Sequence, residues 1–176
     1  MRSLETIIER LKRKVSKAEI LEMVKEIETN VLDFSPLFNL LLVDNQLAMR
    51  SAWLIENLVI PNTKIQGEYF EIIAKSYFTT ESSSVRRNIG KTIGCCSILE
   101  EFEDELYDFC TRLVVNSNEV VAVKVHAMII AAKISTKYPE LIPELETTIE
   151  GEFEKNTVAF RGAAKRVFKL FKKAGY

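Results

Sequence analysis

The stretch from residue 118 to residue 137, NEVVAVKVHAMIIAAKISTK, decides how this chain is read. Wound into a helix it is apolar nearly all round, with Val121, Val125, Met128 and Ala132 on one side and Val120, Ala127, Ala131 and Ile134 on another. A surface helix needs a single apolar stripe, so a helix of this kind has to be packed on several sides. Near its start stands Val123-Lys124, an apolar residue followed at once by a basic one. Three other segments carry the same pair: Met49-Arg50, Val85-Arg86 and Phe160-Arg161. The basic residues lie 36, 38 and 37 apart, and a polar residue stands five positions before each (Asn45, Glu81, Glu119 and Asn156), where a helix cap is expected. A period near 37 that holds two helices is the mark of stacked helical hairpins, none of which can bury its apolar side alone.

Outward from the repeat, the rest of the chain reads as helix. Leu4, Ile7, Ile8, Leu11 and Val15 recur at helical spacing. Ser16 and Glu19 form an S-x-x-E capping box that opens a second helix, whose stripe is Ile20, Val24, Ile27 and Val31. Ser35-Pro36 reads as a cap and first turn for a short helix over 37–43, and Asp44 and Asn45 break it and cap a helix running to about Ile60, where Pro61 ends it. Further helices are expected at roughly 67–79, 82–98, 101–115, 118–137, 139–154 and 157–173. No segment alternates with period two between turn signals, so no sheet is expected. Gly90 and Gly94 sit four apart on one second helix, where close helix–helix approach is a reason to accept about 1 kcal/mol each relative to Ala.

The pattern resembles the HEAT-repeat family, with its turn followed by V-R on the second helix of each hairpin, and residues 138–145 (YPELIPEL) look like the start of a HEAT first helix. The resemblance implies an all-α fold: a right-handed α-α superhelix of about five helical hairpins, an armadillo-type or HEAT-like solenoid. The expected organisation is one domain over 1–176, with an N-terminal capping hairpin at 1–30 and HEAT-like hairpins at 35–60, 66–98, 101–137 and 139–173. Asp stands in the intra-repeat turn only at Asp44, so the resemblance does not imply a continuous acid–base ladder between repeats.

Composition narrows the function classes. Of 176 residues, 24 are basic and 25 acidic, so the global basic excess typical of nucleic-acid binders is missing. The three cysteines, Cys95, Cys96 and Cys110, form no C-x-x-C pair, which argues against a disulfide framework or a zinc site and for a reducing, cytoplasmic setting. Glu5 and Glu9 interrupt the N-terminal apolar run, so no signal peptide is expected, and no apolar stretch approaches the ~20 residues of a membrane span. Nothing calls for a cofactor or a metal.

Candidate site residues come from the second helices. Arg86, Arg87, Lys91, Lys124, Lys133, Arg161, Lys165, Arg166 and Lys169 could form a basic inner strip able to meet phosphates, with His126, the sole histidine, beside it. Ordinary solvated helix faces explain the same cations, and a semi-buried, locally satisfied side chain explains the histidine. Ser82, Ser83 and Ser84 read as a helix cap, the acids from Glu100 to Glu105 as partners of a helix dipole, and Trp53 as core. No catalytic residue is assigned. The expected function is a non-catalytic interaction module that binds a partner protein through a concave second-helix face. The alternative is nucleic-acid binding of the kind seen in HEAT-like alkylpurine DNA glycosylases. A remoter one is a lyase of the adenylosuccinate lyase type, whose Ser-Ser-x-Met-Pro-x-Lys-x-Asn loop is not present.

Overall fold

The computed structural model describes residues 3–30, 32–42, 46–173 and 175, the side chains of 63–66 excepted. Among them it contains ten α-helices and no strand. The chain divides into two compact units, residues 1–97 and 98–176. In the first unit the helices are α1 (Leu4–Leu11), α2 (Lys17–Asn30), α3 (Ser35–Asn39), α4 (Gln46–Val59), α5 (Thr63–Thr79) and α6 (Ser83–Cys95). In the second they are α7 (Glu100–Val115), α8 (Val121–Lys137), α9 (Ile142–Phe153) and α10 (Val158–Lys173). Consecutive pairs form five hairpins, as the period near 37 requires.

Each unit is built in two layers. In the first, the second helices pack side by side, α2 on α4 and α4 on α6. In the second, α8 packs on α10, and the first helices α7 and α9 pack on each other. Helix α8 touches α7, α9 and α10, which accounts for its apolar character all round. It buries Val123, Ala127, Met128, Ile130, Ala131 and Ile134, each large side chain contributing about 1.5–3 kcal/mol. In the first unit the ring of Phe38 stacks on Tyr69, centroids 4.4 Å apart and planes 3° from parallel. The first hairpin is pinned by Arg10 of α1, which reaches Glu22 at 3.0 Å and Glu26 at 2.9 Å on α2.

Local chemistry explains where the helices start and stop. The capping box forms as expected: the Ser16 amide donates to Glu19 Oε2 at 2.8 Å, and the Glu19 amide to Ser16 Oγ at 3.3 Å. Other expectations need correction. The cap of α6 is Ser82, whose Oγ accepts from the Val85 amide, rather than Glu81. Glu119 receives the amide of Val120, and α8 begins only at Val121. Asn156 serves the helix before it, donating through Nδ2 to the Glu152 carbonyl at 2.9 Å. Ser35 does not cap; its amide donates to Asp33 Oδ1 at 2.9 Å. The helix expected over 37–43 is α-helical only to Asn39 and continues as a 3-10 turn over Leu40–Leu42. Val43, Asp44, Asn45 and Val31 lie outside the described residues. The helix expected at 139–154 is a 3-10 turn over Pro139–Leu141 and then α9, because the Pro143 ring would clash with the carbonyl four residues back in a continuous helix. The helix expected to reach 98 stops at Cys95; Cys96 is extended at φ −80°, ψ 159°, with its side chain buried.

The first repeat step also needs correction. Burial aligns Ala48, Ala52, Ile55 and Val59 of α4 with Val85, Ile89, Thr92 and Cys96, all 37 residues on. The 36-residue step between Arg50 and Arg86 is therefore one residue out of the packing register. In the second unit Val123, Ala127, Ile130 and Ile134 match Phe160, Ala164, Val167 and Phe171, 37 on, in agreement with the sequence step.

Candidate functional site

The basic residue of each repeat is engaged inside the fold. Arg50, 9% exposed, donates through Nη1 to the Leu11 carbonyl at 3.1 Å and the Lys12 carbonyl at 3.0 Å, and through Nη2 to Gln46 Oε1 at 2.6 Å. Leu11 is the last residue of α1 and Lys12 its C-cap. Arg86 Nη2 donates to the carbonyl of Thr80, one residue beyond α5. Arg161 Nη1 donates to the Asn156 carbonyl at 3.2 Å, just past α9. The Lys124 ammonium lies 3.6 Å from Glu152 Oε2, both side chains nearly buried. Glu152 also accepts from Lys155 Nζ at 2.9 Å, and this bond, with one from Asn156 Nδ2 to Oε2 at 3.2 Å, holds its carboxyl below the usual range against the opposing effect of burial. A helix C-terminus presents unpaired carbonyls and partial negative charge, so a cation there is stabilising. The recurring cation holds hairpins together.

Of the ten candidate residues for the strip, Arg86, Arg87 and Lys91 fall in the first unit and the other seven in the second. With Arg86, Lys124 and Arg161 engaged as above, the side chains presented outward are different ones. Arg87 and Lys91 are exposed on α6, and Lys165, Arg166 and Lys169 on α10. His126 and Lys133 are half-buried on α8.

In the first unit the second-helix layer holds an open groove of about 410 Å³. Met49, Trp53, Glu56 and Asn57 of α4 form one wall, Ser84, Arg87, Asn88 and Lys91 of α6 the other, and Lys17 of α2 stands at the rim. Trp53 is half-buried there, and its carbonyl accepts from Asn57 Nδ2 at 2.8 Å. Lys91 closes an ion pair with the nearly buried Glu56 across the groove. A register set by Met49 points the indole to the core, and the structure corrects that expectation. The burial row of Ala48, Ala52, Ile55 and Val59 turns Trp53 about 100° away from the core. That row, legible in the sequence, was the signal that could have found it.

Two concavities stand out among the described residues of the second unit. Between α8 and α10 runs an open groove of about 440 Å³, to which α8 gives Ile129, Ala132, Lys133 and Thr136 and α10 gives Ala163, Arg166, Val167 and Leu170. Both sets follow the spacing i, i+3, i+4, i+7, one stripe from each helix. On the first-helix side is a pocket of about 330 Å³ lined by Glu100, Asp104, Asp108, Glu140 and Glu144 with Tyr107 and Tyr138. Glu103, at its edge, accepts from Lys137 Nζ and from Tyr138 Oη, each at 2.8 Å. Burial works to raise its carboxyl, and these two hydrogen bonds outweigh it, so the group sits below the usual range. Tyr107 donates to the Leu141 carbonyl at 3.2 Å; burial, and then the charge of Glu144, push its phenol up to about 12. Among the described residues no three His, Cys, Asp or Glu side chains converge as metal ligands. No helix among them is long and apolar enough to cross a membrane.

Comparison with known proteins bears on the architecture. The family model described as "HEAT repeat domain" matches residues 7–171. The crystal structure of YibA from Escherichia coli is similar to this chain with a TM-score of 0.56 and 17% sequence identity, over 88% of this chain and 53% of that one. The chain thus spans about half the length of the YibA structure, and at that identity the likeness concerns the fold. No curated protein matches the chain.

Proposed function

The chain belongs to the HEAT repeat family, and on that premise we propose that it is a single non-catalytic interaction module of the cytoplasm that binds a partner protein through the face of its second helices. The observation that carries this reading is the groove around Trp53. A half-buried indole flanked by Met49, with Asn57, Asn88 and Arg87 around it, offers an apolar anchor inside a polar rim. Protein interfaces concentrate their energy in such places, and aromatic and Arg side chains dominate there.

The test is quantitative affinity capture followed by mass spectrometry, comparing the wild-type chain with Trp53→Ala and Arg87→Glu. A hot-spot aromatic contributes at least about 2 kcal/mol, so Trp53→Ala is expected to lower recovery of specific partners about thirtyfold at limiting concentration. Equal recovery of the same proteins by all three chains refutes the reading.

The exposed cations Arg87, Lys165, Arg166 and Lys169 favour nucleic acid as a second reading. A gel shift with duplex DNA decides it: each phosphate contact adds about −0.9 to the slope of log affinity against log salt. Duplex binding that survives Trp53→Ala and weakens steeply with salt would replace the protein-partner reading.

A further inference from the structure

Net charge conceals how charge is sorted in the second unit. Helix α7 carries six carboxylates and one cation, Arg112, and α9 carries four carboxylates and no cation. Helix α8 carries three lysines and α10 six cations, and neither has a carboxylate. Lys124 and Lys137 are engaged with Glu152 and Glu103 of the first-helix layer. Lys165, Arg166, Lys169, Lys172 and Lys173 pair with no carboxylate among the described residues.

Of these cations Arg166 lines the groove between α8 and α10, and the exposed Lys165 and Lys169 flank it in sequence on the same helix. Its floor is small and apolar: Ala132 and Ala163 are each 1% exposed and leave depth above the backbones. Val167 is buried, and Leu170, 44% exposed, forms a wall of the groove. Lys133 lines the groove from α8 and Arg166 from α10. Two physical demands therefore meet in one place. The apolar trough asks for apolar side chains, and the rim asks for carboxylates. Phosphates of a nucleic acid answer only the second demand. An amphipathic helix with acidic flanks answers both, because its own i, i+3, i+4, i+7 stripe matches a trough built from two stripes of that spacing.

We propose that the groove between α8 and α10 is a docking site for an acidic amphipathic helix of a partner protein. The proposal rests on the reading of the chain as a protein-binding module and names the chemistry of what one of its grooves takes. Leucine-type side chains of the partner enter above Ala132 and Ala163 against Leu170, and its carboxylates lie along Arg166 and toward the exposed Lys169 one turn further along α10. The positive potential of the two second helices speeds encounter, and the trough fixes register.

The experiment is fluorescence anisotropy on the full chain. The probe is a labelled synthetic peptide with leucines at i, i+3, i+4 and i+7 and glutamates at the flanking positions. A scrambled peptide of the same composition and a labelled oligothymidylate are measured beside it. The ordered peptide is expected to bind at least about tenfold tighter than the scrambled one. Arg166→Glu and Leu170→Ser, both at exposed positions, are each expected to weaken it about tenfold while leaving the thermal melt unchanged. Equal binding of the scrambled peptide, indifference to Leu170→Ser, or tighter oligothymidylate binding that displaces the peptide would each overturn the proposal. Should the peptide fail while partner capture still depends on Trp53, this inference falls and the module reading stands; should both fail, the two fall together.

Discussion

Replacing Arg50 by Met tests the structural role of the repeated cation. Met keeps an apolar stem of similar length and removes the guanidinium. Three hydrogen bonds are lost: to the carbonyls of Leu11 and Lys12 and to Gln46. The bond to Leu11 is buried, while those to Lys12 and Gln46 are only partly so, and water can replace them in part. A hydrogen bond to a charged group contributes about 1.5–3 kcal/mol, and a buried carbonyl left without a partner costs a similar amount, so the expected loss is about 3 kcal/mol in all. For a chain of this length unfolding as one body, that lowers Tm by about 6–12 °C, and by more if the first unit melts separately. Arg87→Met, one residue along from the Arg86 cap and exposed, is the control and should stay within about 0.5 kcal/mol. Urea unfolding followed by circular dichroism gives both numbers, and amide exchange should show α1 opening first in the Arg50 variant. If Arg50→Met costs less than about 1 kcal/mol, or no more than Arg87→Met, the capping argument is wrong.

Three further outcomes can be checked. Glu103 has its carboxyl held below the usual value in the folded state, so its contribution is fully present above the ordinary carboxylate range and is lost as pH falls through the folded value. Glu103→Gln should therefore lower the urea midpoint at pH 7, and the gap to wild type should close as the solution is acidified toward pH 3; a constant gap would assign the effect to packing. Spectrophotometric titration of the five tyrosines should show Tyr69, Tyr107 and Tyr138 ionising above the ordinary phenol range, the last step near 12, and Tyr107→Phe should remove that last step. Cys95 is exposed and Cys96 and Cys110 are buried, so one thiol per chain should react with a thiol reagent under native conditions and three in denaturant, and immediate reaction of two would contradict the packing at the end of α6.

The hairpin count was legible in the sequence because it rests on periodicity, and periodicity survives local irregularity. Val123, Ala127, Ile130 and Ile134 and their counterparts 37 residues on keep one stripe facing the core whichever residue caps the helix. Caps were less legible, because several polar side chains near a helix start compete for the same amide. Ser82 outdid Glu81 with a short hydroxyl already beside the Val85 amide, while Asn156 turned back to α9. Among the candidate site residues the sequence located the cations but not their occupation. The Leu11 carbonyl lies 39 residues from Arg50, and no local pattern shows that a chain will fold it within reach. Trp53 is hidden from the sequence for a related reason: a helix register taken from Met49-Arg50 is one residue from that of the buried alanines, and one residue is 100° of rotation.

The sorting of carboxylates onto α7 and α9 and of cations onto α8 and α10 gives the second unit a large permanent dipole that its isoelectric point, about 6.0 for the chain, does not report. Near neutral pH such a molecule should adhere to cation-exchange and anion-exchange resins alike, meeting each bead with a different side. At any charged support it would settle in a preferred orientation, so the choice between a carboxylated and an aminated sensor chip decides which helices stay available to whatever flows past.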